Sequence, residues 1–167
     1  MISAKTLAEY LIYLNHEIQG QDADITPMKL QKLLYYCQGY SLALTGKPIF
    51  YEEIEAWRNG PVVESVYREY KQYKNNVIPV NEANNFENLD EALKSIARLV
   101  VDEKKWLSAY ALSDATHKEM PWRSTFEPQS DFPHDIISHE KIKNFFSNEF
   151  LKWEEELDET EEDKLWF

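Results

Sequence analysis

The stretch opened by Thr26-Pro27 and closed by Gly46 and Pro48 constrains this chain more than any other part of it. A threonine hydroxyl can accept from the free N–H groups of a first helical turn, and proline fits the first helical position because its missing N–H would bond to nothing there. Between those ends Leu30, Leu33, Leu34, Cys37, Tyr40 and Leu44 recur at helical spacing. One face of this helix is therefore predicted to lie on a core, with Lys29, Lys32 and Gln38 off that face. Gly39 in its middle costs about 1 kcal/mol relative to alanine, so it is expected to mark a close helix crossing.

Other helices follow from the same reading. Ser3 can cap one that carries Leu7, Tyr10, Leu11, Leu14 and Ile18 and stops at Gly20. The segment from Ile49 to Trp57 mixes Phe50, Tyr51, Ile54 and Trp57 with Glu52, Glu53 and Glu55, and is too short for another full helix. It reads as an extended excursion or a small hairpin. Arg58-Asn59-Gly60-Pro61 is a turn whose proline is predicted to start a third helix. After an Asn-rich loop over 74–88, a fourth helix is expected from Asn88 or Leu89. Ser108 should cap a fifth, residues 122–126 one further turn, and Ser138 a last helix bearing Ile142, Phe145, Phe146 and Phe150. The expected fold class is mainly α: a compact multi-helix single domain with a small β-hairpin or short strand element around residues 49–57. That domain is read as 1–153, followed by an acidic C-terminal tail, 154–167, with the apolar tip Leu165-Trp166-Phe167.

Charge narrows the partners. The formal net charge is −12, but eight acids stand together between Glu154 and Asp163, and outside that block 22 acids face 18 bases. Nucleic-acid affinity rests on Lys and Arg neutralising phosphates, so direct binding to DNA or RNA is not expected. The chain lacks the roughly 20 consecutive apolar residues of a membrane helix, and Met1-Ile2-Ser3-Ala4-Lys5 does not open a signal sequence. A cytoplasmic location is expected. The tail is read either as folding back onto the domain or a second copy, which admits a homodimer, or as a solvated arm.

No arrangement of residues points to catalysis. The four glycines are isolated, which leaves no phosphate-cradling loop. Cys37 sits in the apolar stripe where a small core residue belongs. His16, His134 and His139 lack metal-ligand spacing. His117 and Glu119 are close in sequence, with no nucleophile placed beside them, and a hydrolase built on this pair is the weaker alternative. The Glu52, Glu53 and Glu55 cluster reads as a solvated strand face. No cofactor, metal or catalytic residue is expected, and the chain is not expected to be an enzyme.

Two groups of residues carry a family resemblance. One is Ile25-Thr26-Pro27-Met28-Lys29-Leu30-Gln31-Lys32-Leu33-Leu34-Tyr35-Tyr36, and the other is Glu55-Ala56-Trp57-Arg58-Asn59-Gly60-Pro61-Val62 with Val66-Tyr67. With Leu112-Ser113, Thr116-His117 and Pro121-Trp122, they resemble the Panacea, or SocA-like, antitoxin domain and its phage-associated GepA-type relatives, over about residues 4 to 150. The resemblance implies a mainly helical domain that neutralises a cognate protein toxin by direct contact. It also implies an alternative role as an adaptor that delivers or modulates a partner, such as a toxin handed to a cellular protease. The DNA-binding helix-turn-helix carried by many relatives is not expected here, given the charge balance. The shared residues include Lys32, Tyr67, His117 and Trp122. Polar residues at a turn on a rigid scaffold suit a contact surface, so the expected patch is Trp57, Arg58, Asn59, Gly60 and Pro61, with His117 and Trp122 nearby.

Overall fold

The computed structural model describes residues 1–129 and 134–164, of which 158–164 are described by backbone alone. The chain runs α1 (Ala4–Gln19), α2 (Pro27–Thr45), β1 (Ile54–Trp57), β2 (Gly60–Val62), α3 (Glu64–Tyr70) and α4 (Glu91–Lys104). It continues through α5 (Ala109–Lys118), α6 (Met120–Arg123), β3 (Ile136–Ile137) and α7 (His139–Lys164). It is a mainly helical domain with one small antiparallel sheet. No helix among the described residues is long and apolar enough to cross a membrane.

α2 is the axis of the packing. Thr26 Oγ1 accepts from Lys29 N at 3.3 Å, Pro27 lies in the first turn, and Gly46 ends the helix with φ at 72°. Every residue from Lys29 to Leu42 is buried, because α1, α4, α5, α7 and β2 all pack against it. The one-face expectation is therefore corrected. Lys29, Lys32 and Gln38 are buried beside the apolar stripe, whereas Leu44 is 54% exposed where the last turn emerges from the ring of neighbours.

Burying the polar faces of a helix obliges each polar side chain to find a partner. Gln31 accepts from Val63 N at 2.8 Å and donates to Val63 O at 3.3 Å. Two turns later Gln38 accepts from Ile49 N at 2.8 Å and donates to Phe50 O at 3.1 Å. The stretch from Ile49 to Val63, which contains the excursion that sequence places at 49–57, is thus held at both ends by two glutamines on one face of α2. Lys29 reaches Asp24 at 2.6 Å and Lys105 O at 3.2 Å.

The sheet order is β2-β1-β3, with Ala56 opposite Pro61 and Ile54 opposite Ile137. Pro61 does not start a helix, as its position after Gly60 suggested; it lies in the edge strand β2, where a missing N–H removes no bond the sheet requires. α3 starts at Glu64 with Val63 as its cap: Val63 N donates to Gln31, and Val63 O accepts both from Gln31 and, at 3.0 Å, from Tyr67 N in the first helical turn. α4 likewise begins at Glu91, later than expected, since the Asp90 carboxylate accepts from Ala92 N and Leu93 N at 3.0 and 3.2 Å. The turn expected over 122–126 starts earlier, as α6, with Pro121 in its first turn. α7, capped by Ser138, runs on through Glu154–Asp163 as one helix. The tip Leu165-Trp166-Phe167 lies outside the described residues.

Gly39 marks the crossing of α2 and α7. A Cβ there would stand 2.1 Å from Phe146 Cδ2, and the Phe146 ring is set edge-on against Tyr35, Tyr36 and Tyr40. Gly39→Ala is expected to lower unfolding free energy by about 1–3 kcal/mol in urea titrations, as overpacking does. Phe146→Ala removes the obstructing ring. The loss on Gly39→Ala should shrink in that background, and full additivity in the double-mutant cycle would refute the clash.

Candidate functional site

Three carbonyls of the β1–β2 turn point into the domain, and each is taken by a side chain from a different helix. Trp122 Nε1 of α6 donates to Trp57 O at 2.8 Å, Ser113 Oγ of α5 donates to Asn59 O at 2.9 Å, and Lys32 Nζ of α2 donates to Pro61 O at 3.0 Å. Gly60 makes this convergence possible. Its φ is 111°, and a Cβ would meet Lys32 Cε and Thr116 Oγ1, each at 2.8 Å. Glycine is required there by conformation and by space.

The structure therefore brings Trp122 directly behind the turn at 57–61. His117 stands one layer further back, its ring 4.2 Å from that of Trp122. Gly60, Pro61 and Trp122 are buried, whereas Arg58 and Asn59 are exposed and Trp57 half-buried. The Trp57 indole donates to Glu55 Oε2 at 2.7 Å, and its ring stands edge-on to Tyr67 at 4.9 Å and lies 4.9 Å from the His134 ring.

In front of the turn a groove of about 300 Å³ opens between the hairpin, the first turns of α2 and the end of α3. Gln31 and Lys32 form its floor, Trp57, Arg58 and Tyr67 line its walls, and Lys71 and Lys74 stand at its edge. Four of its lining residues are Lys or Arg and none is Asp or Glu, in a chain of net charge −12. Local segments read one at a time missed this grouping. Lys32 looked like an outward-facing lysine, and nothing in periodicity brings Lys71 and Lys74 to Arg58.

Lys32 is 1% exposed, and burial pushes its ammonium down from the ordinary 10.5 to about 7. Glu119 makes no hydrogen bond to His117 among the described residues. It accepts from Tyr36 Oη at 2.7 Å, and burial raises its carboxyl above the ordinary carboxylate value. The Tyr35 hydroxyl lies beside the same carboxylate without reaching hydrogen-bond geometry, and His117 Nε2 is buried with no partner among the described residues. The Cys37 thiol is fully buried, which drives its pKa up and leaves the sulfur in its protonated, unreactive form.

The family profile described as "Antitoxin SocA-like, Panacea domain" matches residues 30–123. The chain belongs to the SocA-like antitoxin family. The matched span is narrower than the 4 to 150 over which the resemblance was read; it holds most of α2, the hairpin and Trp122, and leaves out α1 and α7. Antitoxin SocA of Caulobacter vibrioides (strain NA1000 / CB15N) is 36% identical over 67 residues, which cover 40% of this chain and 34% of that protein. The alignment thus spans about a third of the relative's length. No solved structure matches the chain. All three side chains that hold the turn, Lys32, Ser113 and Trp122, fall inside the span shared with the SocA-like antitoxin family.

The buried lysine has a measurable consequence. Lys32 binds its proton more weakly in the folded chain than in the unfolded one, so from about 7 up to its ordinary 10.5 the unfolded state carries the extra proton. Folding therefore gains stability as pH rises through that window, by about 2 kcal/mol between pH 7 and pH 9. Lys32→Met should lose this gain. Urea unfolding of both proteins at the two pH values checks it, and parallel pH dependence would show that the ammonium is not held in a low-dielectric site.

Proposed function

We propose that this protein is an antitoxin that neutralises a cognate protein toxin in the cytoplasm by binding it directly and without catalysing a reaction. Membership of the SocA-like family supports the antitoxin role. The observation that carries the binding reading is the turn at 57–61. Its three inward carbonyls are tied down by Trp122, Ser113 and Lys32, which leaves Arg58 and Asn59 exposed on a backbone that cannot readily move. A contact surface so pre-organised loses little conformational entropy on association. In this reading Trp57, Arg58 and Asn59 meet the toxin, while Gly60, Pro61, Trp122 and His117 hold them from behind.

The test is co-expression with the product of the adjacent gene. Growth should be rescued and the two proteins should co-purify in a fixed ratio, with toxin levels unchanged in a strain lacking its cytoplasmic proteases. Rescue with no complex would overturn direct neutralisation, and toxin that survives only without the protease would replace it with delivery to degradation. Trp122→Phe keeps an aromatic ring against His117 and Phe126 but leaves Trp57 O without its donor, at a cost of about 1–3 kcal/mol. It should weaken the complex severalfold in a calorimetric titration while the protein still unfolds in one cooperative transition.

A further inference from the structure

Lys32 is the feature that the fold alone leaves unexplained. Its ammonium has three donors, and the hydrogen bond it makes among the described residues is to Pro61 O. Of the two buried lysines on α2, Lys29 has the Asp24 carboxylate at 2.6 Å, while Lys32 has no carboxylate within ion-pair distance among the described residues. A buried cation with one neutral partner is costly, and such groups ordinarily neutralise or acquire a counter-ion. Burial is the cause of its lowered proton affinity, with no nearby charge opposing it.

What stands around it has the same sign. Arg58, Lys71 and Lys74 line the groove, all exposed, and none is in an ion pair among the described residues. Their neighbours Arg68 and Lys5, by contrast, are paired with Glu64 and Glu69 at 2.5 and 3.1 Å. Lys74 also holds φ at 52°, a backbone conformation that residues other than glycine seldom adopt. The remaining wall is aromatic: Trp57 is half-buried and Tyr67 is 38% exposed.

We propose that this groove is the docking site for an acidic segment of the partner protein, one carboxylate of which reaches the Lys32 ammonium while an adjacent aromatic or aliphatic side chain lies against Trp57 and Tyr67. The inference rests on the reading of this protein as one that binds its toxin, and it names the chemistry of the toxin segment that is recognised. A carboxylate at Lys32 supplies the missing counter-ion and takes up a free donor. Arg58, Lys71 and Lys74 then steer the rest of the segment, and that contribution is screened by salt. The volume suits a few side chains, at the small end of ligand sites, so a short segment enters and not a folded surface.

The experiment follows amide and indole resonances of the full chain as a synthetic peptide, Asp-Glu-Trp-Asp-Glu with blocked ends, is added. Its Asn-Gln-Trp-Asn-Gln counterpart and inorganic phosphate are added separately. Saturable shifts at Trp57, Arg58, Lys71 and Lys74 are expected with the acidic peptide, at least tenfold weaker with the amide peptide, and absent with Lys32→Met or with the Lys71→Glu, Lys74→Glu pair. Both variants must remain folded, as a single cooperative melting transition shows. If Lys32→Met fails to fold, Lys32→Gln and the exposed pair carry the test. Equal binding of both peptides, or no binding, overturns the proposal. Phosphate that saturates the same residues as tightly as the acidic peptide also overturns it, in favour of a small-anion site. The same exposed pair should weaken the toxin complex at least tenfold at low salt. A wild-type chain that binds the peptide and no toxin would instead remove the antitoxin reading and leave the groove's chemistry standing.

Discussion

The rest of the structure depends on the burial of α2 on every side. An amphipathic helix can leave its polar residues in water; this one cannot, because α1, α4, α5, α7 and β2 close around it from Lys29 to Leu42. Most polar side chains in that span therefore become structural connections, the Tyr35 hydroxyl being an exception. An unsatisfied buried donor or acceptor costs about 1–3 kcal/mol, more than the roughly 1 kcal/mol a made bond returns, so the partners are obligatory even where they add little net stability. Gln31 and Gln38 take backbone groups of Val63 and of Ile49 and Phe50, and between them they fix where the strand excursion begins and ends.

The hairpin inherits its rigidity from this arrangement. A two-stranded ribbon of three or four residues is marginal in water, and the β3 strand adds only two residues to it. What holds the turn is the interception of its carbonyls by Trp122, Ser113 and Lys32. These come from α2, before the turn, and from the neighbouring helices α5 and α6, 54 and 65 residues beyond the carbonyls they hold. The exposed turn residues are thus presented by the whole helical body, which is how a short loop can act as a binding surface without ordering on contact.

Much of the fold was legible in particular residues. The caps at Ser3, Thr26, Ser108 and Ser138 each accept the bond expected of them, and Gly39 meets Phe146 as a crossing glycine should. Cap chemistry is local, so it survives reading in one dimension. Pro61 misled because proline fits a first helical turn and an edge strand equally well, and the choice was made by strand pairing, which sets Pro61 opposite Ala56. The candidate site was half legible. Turn residues Arg58 and Asn59 stood out, but the groove's Lys71 and Lys74 follow the end of α3, and no periodicity reports which helix end will lie beside which turn.

By itself, the sequence determined the helices, their caps, the position of the turn and the family, since these rest on contacts within a few residues or on ordered motifs. Tertiary structure alone decided the environment of each polar side chain. Lys29 and Lys32 are three residues apart on one helix, both 1% exposed, yet one faces a carboxylate and the other a backbone carbonyl at the floor of a basic groove. Desolvation and counter-ions depend on what surrounds a group in space. The chain specifies those surroundings only after every helix has been packed.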